Sequence, residues 1–392
     1  LSSVMSGKNI MITISNWRGD RDASDETLST AAKFFDSMNL TFTYQNIGIK
    51  FGDSLHCEDT SMENLRSSIT LRTLFGTDVL VSHIPNSNKR NETHPLIVRT
   101  EDGTLWVTWS FERGNGNHDI AIAYSTDGGE TWKGWRIYEN KTFDTANPVI
   151  VKDANDNLFI FFENHTSGAY FQFLYHSNGD TPKNWILYGI PSISWENIYN
   201  ISAAAYSNSI YVVFEYHNSS SNSTIGYLYT TDDGSTWHVP LVMQTSYWTG
   251  HPSVTISTGS NPRVFIAFDY YNTTGLLSRW EVVVLNNSEI GNNSWRGYDY
   301  YHYWSIFSYK YPSIYASGDN IYVVWEKGFL ISDEDLIFLD LRFLKSTDNG
   351  VTWSNPTSID TAATWDNDEE YPWVVANGQD VYIFYLNSTT GY

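Results

Sequence analysis

Residues 125–132 read Ser-Thr-Asp-Gly-Gly-Glu-Thr-Trp and stand directly behind the strand-like run 119–124. The pattern Ser/Thr-x-Asp-x-Gly-x-Thr-Trp returns at 230–237 and 346–353, each time after an apolar stretch. Two worn copies lie between them and end on Trp185 and Trp295. Trp132, Trp185, Trp237, Trp295 and Trp353 therefore fall 53, 52, 58 and 58 residues apart. A period of that length restricts the chain to one supersecondary unit copied several times.

The octapeptide suits a hairpin corner. Ser125 opens it, Asp127 accepts hydrogen bonds from the turn's own N–H groups, Gly129 supplies a positive φ, and Trp132 folds back to bury its ring. The same roles fall to Asp232, Gly234 and Trp237, and to Asp348, Gly350 and Trp353. A turn satisfied by its own backbone needs no ligand, so the boxes read as structural rather than catalytic.

Six units follow from the openings. His94-Pro95, Asn147-Pro148, Asn200-Ile201, His251-Pro252, Tyr311-Pro312 and Tyr371-Pro372 are spaced by 53, 53, 51, 60 and 60 residues. After each opening a second apolar strand follows a Gly, Asn or Asp turn, a third strand carries the Trp corner, and a fourth returns to the next unit. The expected fold is all-β: a six-bladed β-propeller with four-stranded antiparallel blades over residues 91–392.

The last blade reads as incomplete, holding only its first two strands. Residues 1–90 stand outside the repeat as a mixed α/β segment that caps the body or closes its last blade. Residues 9–15 and 78–82 read as strands, 24–38 as a helix, 41–51 as extended and 61–74 as weakly helical. The strands at 9–15 and 78–82 are expected to complete the last blade. A strand from a neighbouring molecule is the alternative, and it builds a polymer.

With 23 Lys and Arg against 44 Asp and Glu, the formal net charge is -21. That excludes nucleic acid and anionic lipid surfaces as natural partners. Cys57 is the single cysteine, so no internal disulfide forms. No apolar run reaches the length of a membrane-spanning helix. Eleven Asn-x-Ser/Thr sequons begin at Asn39, Asn91, Asn140, Asn164, Asn200, Asn218, Asn222, Asn272, Asn286, Asn292 and Asn387. They point to an exported, N-glycosylated chain at the cell surface or beyond it, matured from a precursor.

The boxes and the six-unit period resemble the sialidase (neuraminidase) superfamily of Asp-box, or BNR-repeat, propellers. Residues 95–113 followed by 119–132 look like that family's first blade. The resemblance implies three arginines holding a substrate carboxylate, a tyrosine nucleophile with an activating glutamate, and an acid/base aspartate. Here the step that carries the first arginine is Thr93-His94-Pro95, so that arginine is absent. Arg113 matches a further family arginine, Tyr371 the nucleophile's position and Glu215 its glutamate, while residues 114–118 hold no counterpart of the aspartate. Sialic acid hydrolysis is not expected.

Glu163, Glu215, Asp269 and Glu326 occupy one position in four successive units. Such a carboxylate ring serves as a glycosidase acid pair, as a hard-cation site for a structural calcium ion, or as a set of acceptors for backbone N–H groups of the adjacent blade. The histidines show no metal-ligand spacing, and no cofactor is implied. The resulting expectation is an extracellular, non-catalytic propeller with a structural or adhesive role, in one reading a self-assembling filament subunit. The alternatives are a sialidase-like glycoside hydrolase and a lectin-like glycan binder using Trp248, Tyr301, Tyr303 and Trp304.

Overall fold

Short runs rich in Val, Ile, Phe and Tyr, bounded by Gly, Asn and Asp, become strands, and among the described residues no helix forms. The computed structural model describes residues 79–82, 91–113, 116–138, 144–164, 170–194, 198–217, 223–238, 248–272, 279–291, 294–299, 307–330, 336–359 and 367–389, together with three short strands near the N-terminus. Those are β1 (Ile14–Ser15), β2 (Asn39–Phe42) and β3 (Ser67–Thr70).

Six sheets follow on one plan. The first is β4 (Glu92–Arg99), β5 (Leu105–Glu112), β6 (His118–Ser125) and β7 (Lys133–Tyr138). The second is β8 (Thr145–Lys152), β9 (Leu158–Asn164), β10 (Tyr170–His176) and β11 (Ile186–Ser194). The third shows β12 (Ile198–Tyr206), β13 (Ser209–His217) and β14 (Ser223–Thr230), with a bridge from Tyr229 to His238. The fourth is β15 (Thr249–Ile256), β16 (Val264–Asn272), β17 (Arg279–Asn287) and β18 (Trp295–Asp299). The fifth is β19 (Phe307–Ser317), β20 (Asn320–Leu330), β21 (Leu336–Ser346) and β22 (Thr357–Ser358). The sixth pairs β23 (Asn367–Asn377) with β24 (Asp380–Thr389). Four of the six are thus antiparallel and four-stranded, as expected.

The first strands pack in series, β4 on β8, β8 on β12, β12 on β15, β15 on β19 and β19 on β23. All six line one cavity of about 640 Å³. This is propeller architecture, with the repeat's inner strands around an axial space. A second strand that lies between two other sheets is apolar on both sides because it faces two neighbours. In β20, Ile321, Val323 and Trp325 pack toward the fourth sheet while Tyr322 and Val324 pack toward the sixth.

The N-terminal region departs from expectation in several places. Two compact units divide the chain, one of Leu1 with Arg18–Val79 and one of Ser2–Trp17 with Leu80–Tyr392. In the first unit β2 pairs antiparallel with β3, which replaces the helical turn expected around 61–74. The helix expected at 24–38 lies outside the described residues. Residues 79–82 form no strand: Val81 packs with Trp109 and Trp132 of the first sheet, and the Ser82 hydroxyl donates to Glu92 Oε1 at 2.7 Å. Side-chain partners on that sheet, not a ladder, hold this segment. Of 9–15, the described pair Ile14–Ser15 joins the sixth sheet, parallel to β24.

Candidate functional site: the axial cavity and its carboxylates

Each opening residue is set the same way. His94, Asn147, Asn200, His251, Tyr311 and Tyr371 have φ between 47° and 55°, the left-handed region that non-glycine residues seldom enter. At each the pairing of the first and second strands shifts register, between Thr93 and Leu96 in the first sheet and between Glu370 and Trp373 in the sixth. In five of the six, all but Asn200-Ile201, a proline follows that has no N–H to offer the ladder, so a bulge there loses little. The bulge turns six side chains, three of them aromatic or imidazole rings in contact, onto the cavity wall. His251 and Tyr311 lie 4.1 Å apart between ring centroids, and Tyr311 and Tyr371 4.9 Å.

The freed N–H groups of these bulges reach back to the preceding sheet. Asn147 N–H donates to Ser110 Oγ at 2.8 Å, Asn200 to Glu163 Oε1 at 2.7 Å, Tyr311 to Asp269 Oδ2 at 3.0 Å and Tyr371 to Glu326 Oε1 at 2.5 Å. The carboxylates are also bound within their own sheets. Asn147 Nδ2 donates to Glu163 at 2.9 Å, Asn200 Nδ2 to Glu215 at 2.8 Å, and His251 Nδ1 lies 2.9 Å from Asp269 Oδ2. Glu163, Glu215, Asp269 and Glu326 are all buried, and each is an acceptor at a sheet junction or within its own hairpin.

A second row of fasteners escaped the sequence reading. Ser202, Ser253 and Ser313, each two residues past an opening, accept from Val254, Ile314 and Val374 N–H of the next sheet at 3.1, 3.2 and 3.1 Å. The signal was present as Asn-Ile-Ser, His-Pro-Ser and Tyr-Pro-Ser in three successive units.

Burial sets the electrostatics. It pushes Glu326 up to about 8, with the Tyr371 N–H opposing and Glu370 adding to the shift. It also raises the Tyr311 phenol, helped by Tyr371 and Glu326. For His251 burial acts downward, but the hydrogen bond and charge of Asp269 outweigh it and the net shift is up. Each of the three raised groups makes the folded state hold a proton that the unfolded chain releases. Glu326 thus stabilises the fold fully below its ordinary 4.5, and that contribution is lost as pH rises toward 8. Thermal melts from pH 5 to 8.5 are expected to show the wild type losing stability with a steeper slope than Glu326→Gln. Parallel slopes would show that Glu326 ionises normally.

The three intact corners share one geometry. Ser125 Oγ donates to Asp127 Oδ1 at 2.7 Å, Asp127 accepts Thr131 N–H at 2.9 Å and Thr131 Oγ1–H at 2.5 Å, and Gly129 N–H returns to Ser125 Oγ at 2.9 Å. Thr230, Asp232, Gly234 and Thr236 repeat it, as do Ser346, Asp348, Gly350 and Thr352. The hydroxyls of Thr230 and Thr236, with the Thr236 N–H, hold Asp232 down at about 2, and Asp127 and Asp348 are lowered chiefly by Thr131 and Thr352. The corner tryptophans reach further than their own sheet. Trp237 meets Phe161 and Phe173 of the second sheet at 5.8 and 5.3 Å, and Trp353 meets Phe265 of the fourth at 6.3 Å.

The remaining sequence candidates scatter. Arg113 lies 3.4 Å from Asp119, which Arg136 also approaches at 3.3 Å, so this arginine is engaged in a buried cluster of the first sheet. Glu215 sits with Asn200 and His217, whereas the groups described around Tyr371 are Tyr311 and Glu326. No arginine or lysine is among the described residues that line the cavity. Among the described residues no group of three His, Cys, Asp or Glu is arranged to hold a metal ion. Trp248 is well exposed, and Tyr301, Tyr303 and Trp304 lie outside the described residues.

The sequons divide. Asn286 is 2% exposed within the fourth sheet, so the sequon there is closed in the folded chain. The Asn164 amide nitrogen is likewise buried, and that of Asn200 is given to Glu215. Of the three, the strand packs only Asn286 away from solvent; Asn164 is half-buried and Asn200 exposed. Asn91 is exposed, while Asn140, Asn218, Asn222 and Asn292 lie outside the described residues, as do the side chains of Asn39, Asn272 and Asn387.

Comparison with known proteins matches the BNR/Asp-box repeat to residues 123–133. No curated protein sequence matches the chain. Among solved structures, a protein of unknown function from Dyadobacter fermentans aligns at 14% identity over 77% of this chain and 95% of that chain, with a TM-score of 0.48. A PL25 ulvan lyase aligns at 10% identity over 76% and 80%, TM-score 0.49. A sialidase of Trypanosoma rangeli in complex with the inhibitor DANA aligns at 13% identity over 77% and 53%, TM-score 0.48. One repeat matched at 123–133 and two corners of identical geometry at 230–237 and 346–353 show that the chain carries BNR/Asp-box repeats.

Proposed function

We propose that the chain is a six-bladed Asp-box propeller of the cell exterior with an adhesive rather than catalytic role, gripping neutral glycan at the mouth of its axial cavity. The observation that carries this reading is the makeup of the cavity wall. Its six opening residues offer rings and amide or imidazole groups, Glu163 stands beside them on the wall, and the carboxylates of Glu163, Asp269 and Glu326 are taken up as acceptors for the next sheet's N–H groups. A sialidase-type nucleophile needs an ionised glutamate at the phenol. Glu326 instead meets the backbone N–H of Tyr371 and is held protonated near neutral pH. An acidic sugar would further meet a wall without a guanidinium, in a chain of formal charge -21.

Tyr371 and Trp373, each about half exposed on the cavity wall, are the surfaces a sugar ring would stack on. A glycan array is expected to return neutral oligosaccharides, with Tyr371→Ala weakening binding about tenfold, the equivalent of one aromatic contact of about 1.4 kcal/mol. Absence of any neutral glycan among the ligands would sink the reading. Release of fluorophore from a panel of aryl glycosides, lost in Glu215→Gln, would replace it with a glycoside hydrolase.

A second reading, a filament assembled by strand exchange, draws on the sixth sheet. Tyr382, Phe384 and Leu386 are exposed along β24, a surface that a neighbouring molecule's strand would cover.

A further inference from the structure

Strand pairing sets the corners side by side. Near the start of each second strand, Leu105 pairs with Ser125, Ile210 with Thr230 and Ile321 with Ser346. In these three the hydroxyl donates to the box aspartate and accepts the box glycine's N–H, so the corner closes on itself. The worn corner of the second sheet departs. There the residue paired with Leu158 is His176, an imidazole in place of a hydroxyl.

His176 is 4% exposed and stacks on Trp185 with ring centroids 4.9 Å apart. Its Nδ1 lies 2.8 Å from the carbonyl oxygen of Asn184. A carbonyl can only accept, so Nδ1 carries the proton and Nε2 of the neutral ring presents a bare lone pair. No described residue donates to it. The ring lines a pocket of about 240 Å³ whose wall also holds Asp102, Trp106, Tyr124, Asp156 and Asp180.

The charges on that wall are unbalanced. Asp156 is committed, its oxygens taking Lys152 Nζ at 2.7 Å and the Glu101 N–H at 2.8 Å. Asp102 and Asp180 have no ion-pair partner among the described residues, and no described lysine or arginine lines the pocket. The Thr100 hydroxyl and the Thr104 N–H hold Asp102 below the usual carboxylate range, so it stays ionised. Lys133 Nζ stands 5.8 Å from the centre of the Tyr124 ring, the kind of contact these rings offer a cation.

Acidic side chains alone would be a solvated surface. The buried imidazole with an unfilled lone pair adds a demand for a donor, and ionised carboxylates beside aromatic rings add a demand for positive charge. A protonated amine meets both. Among the described residues no three His, Cys, Asp or Glu are arranged to hold a metal ion, so a metal is the poorer match. We propose that this pocket binds a primary ammonium group, with His176 Nε2 accepting one N–H and Asp102 and Asp180 supplying the countercharge. The pocket shares no residue with the axial cavity, and the inference is independent of the glycan reading.

Titrating the intact chain at pH 8 with n-butylamine, a cation at that pH, tests the assignment. The readout is the ring ¹⁵N signals of His176, identified by their loss in His176→Phe. A saturable shift is expected. n-Butanol has the shape without the charge and tetramethylammonium the charge without an N–H, and each is expected to bind about tenfold more weakly or less. Asp102→Asn with Asp180→Asn is expected to weaken n-butylamine by a similar factor while the His176 signals persist, which reports an intact fold. Glucosamine binding more tightly than n-butylamine would identify the source as an amino sugar, and the reverse order an aliphatic amine. Equal responses to n-butanol and n-butylamine, or an affinity unchanged in the double variant, overturn the proposal. So does zinc chloride moving the His176 signals where n-butylamine leaves them in place.

Discussion

Asp269→Ala is expected to lower the stability of the folded chain by about 3 kcal/mol or more, the largest loss of any single carboxylate around the cavity. Asp269 is fully buried and its Oδ2 serves two donors at once, the Tyr311 N–H at 3.0 Å and His251 Nδ1 at 2.9 Å. Alanine strands both in a site closed to water. The backbone N–H belongs to a bulged residue at φ 53°, and this structure gives it no ladder partner to fall back on. Glu326→Ala removes an acceptor of the same kind from Tyr371, but a carboxyl protonated near neutral pH gives up less. A loss nearer 1–2 kcal/mol is expected there.

Urea unfolding at pH 6 and pH 8 measures both, and Asp269→Asn separates charge from hydrogen bonding. The asparagine keeps an acceptor for Tyr311 and forfeits the charge that raises His251. A raised histidine stabilises below the unfolded value of 6.5 and loses that contribution as pH rises through its folded value. The gap between wild type and Asp269→Asn should therefore be wider at pH 6 than at pH 8. An Asp269→Ala chain within about 0.5 kcal/mol of wild type would mean that the carboxylates do not fasten the sheets.

The parts of this molecule that repeat were legible, and the parts that depend on an unrepeated neighbour were not. Asp127, Asp232 and Asp348 satisfy turns whose partners lie within five residues, so spacing alone specified their geometry. The ring of Glu163, Glu215, Asp269 and Glu326 was equally visible, since one position recurs every 50 to 60 residues. Its hydrogen bonds run to the next unit, 37 to 45 residues away, and only the fold shows which atom receives them. The left-handed openings lay hidden because His, Asn and Tyr before proline read as an extended step. The register shift at each bulge, invisible in composition, turns that step into the cavity wall. Residues 79–82 failed for the opposite reason. Val79, Leu80 and Val81 look like a strand, but Val81 and Ser82 are held by side-chain contacts to the first sheet, and apolar patterning cannot distinguish the two.

The Asp-box glycines carry a second role that the turn itself does not reveal. Gly350 has φ +77°, and a Cβ there would stand 2.5 Å from Cε1 of the fully buried Phe265 in the preceding sheet. Gly234, at φ +79°, would meet Phe159 of its preceding sheet at 2.9 Å. Gly129 holds the same place in the first corner at φ +98°, but its nearest neighbours, Leu105 and Trp132, lie at 3.7 Å, an ordinary contact. The three substitutions by alanine thus share the backbone strain of about 1–2 kcal/mol and differ in overpacking, which adds roughly 1–3 kcal/mol where a ring must move.

Gly350→Ala is expected to be the most damaging, at about 3–4 kcal/mol, followed by Gly234→Ala, with Gly129→Ala near the strain alone. Phe265→Leu in the Gly350→Ala chain should recover part of the loss by opening the seam, whereas in wild type it only removes packing. Thermal denaturation of the three variants and the double variant decides between the roles. Equal losses at all three glycines would confine the box to its own turn. The expected gradient would instead make the corners at Gly234 and Gly350 wedges in the seams before them, in line with the reach of Trp237 to Phe161 and of Trp353 to Phe265 in the preceding sheets.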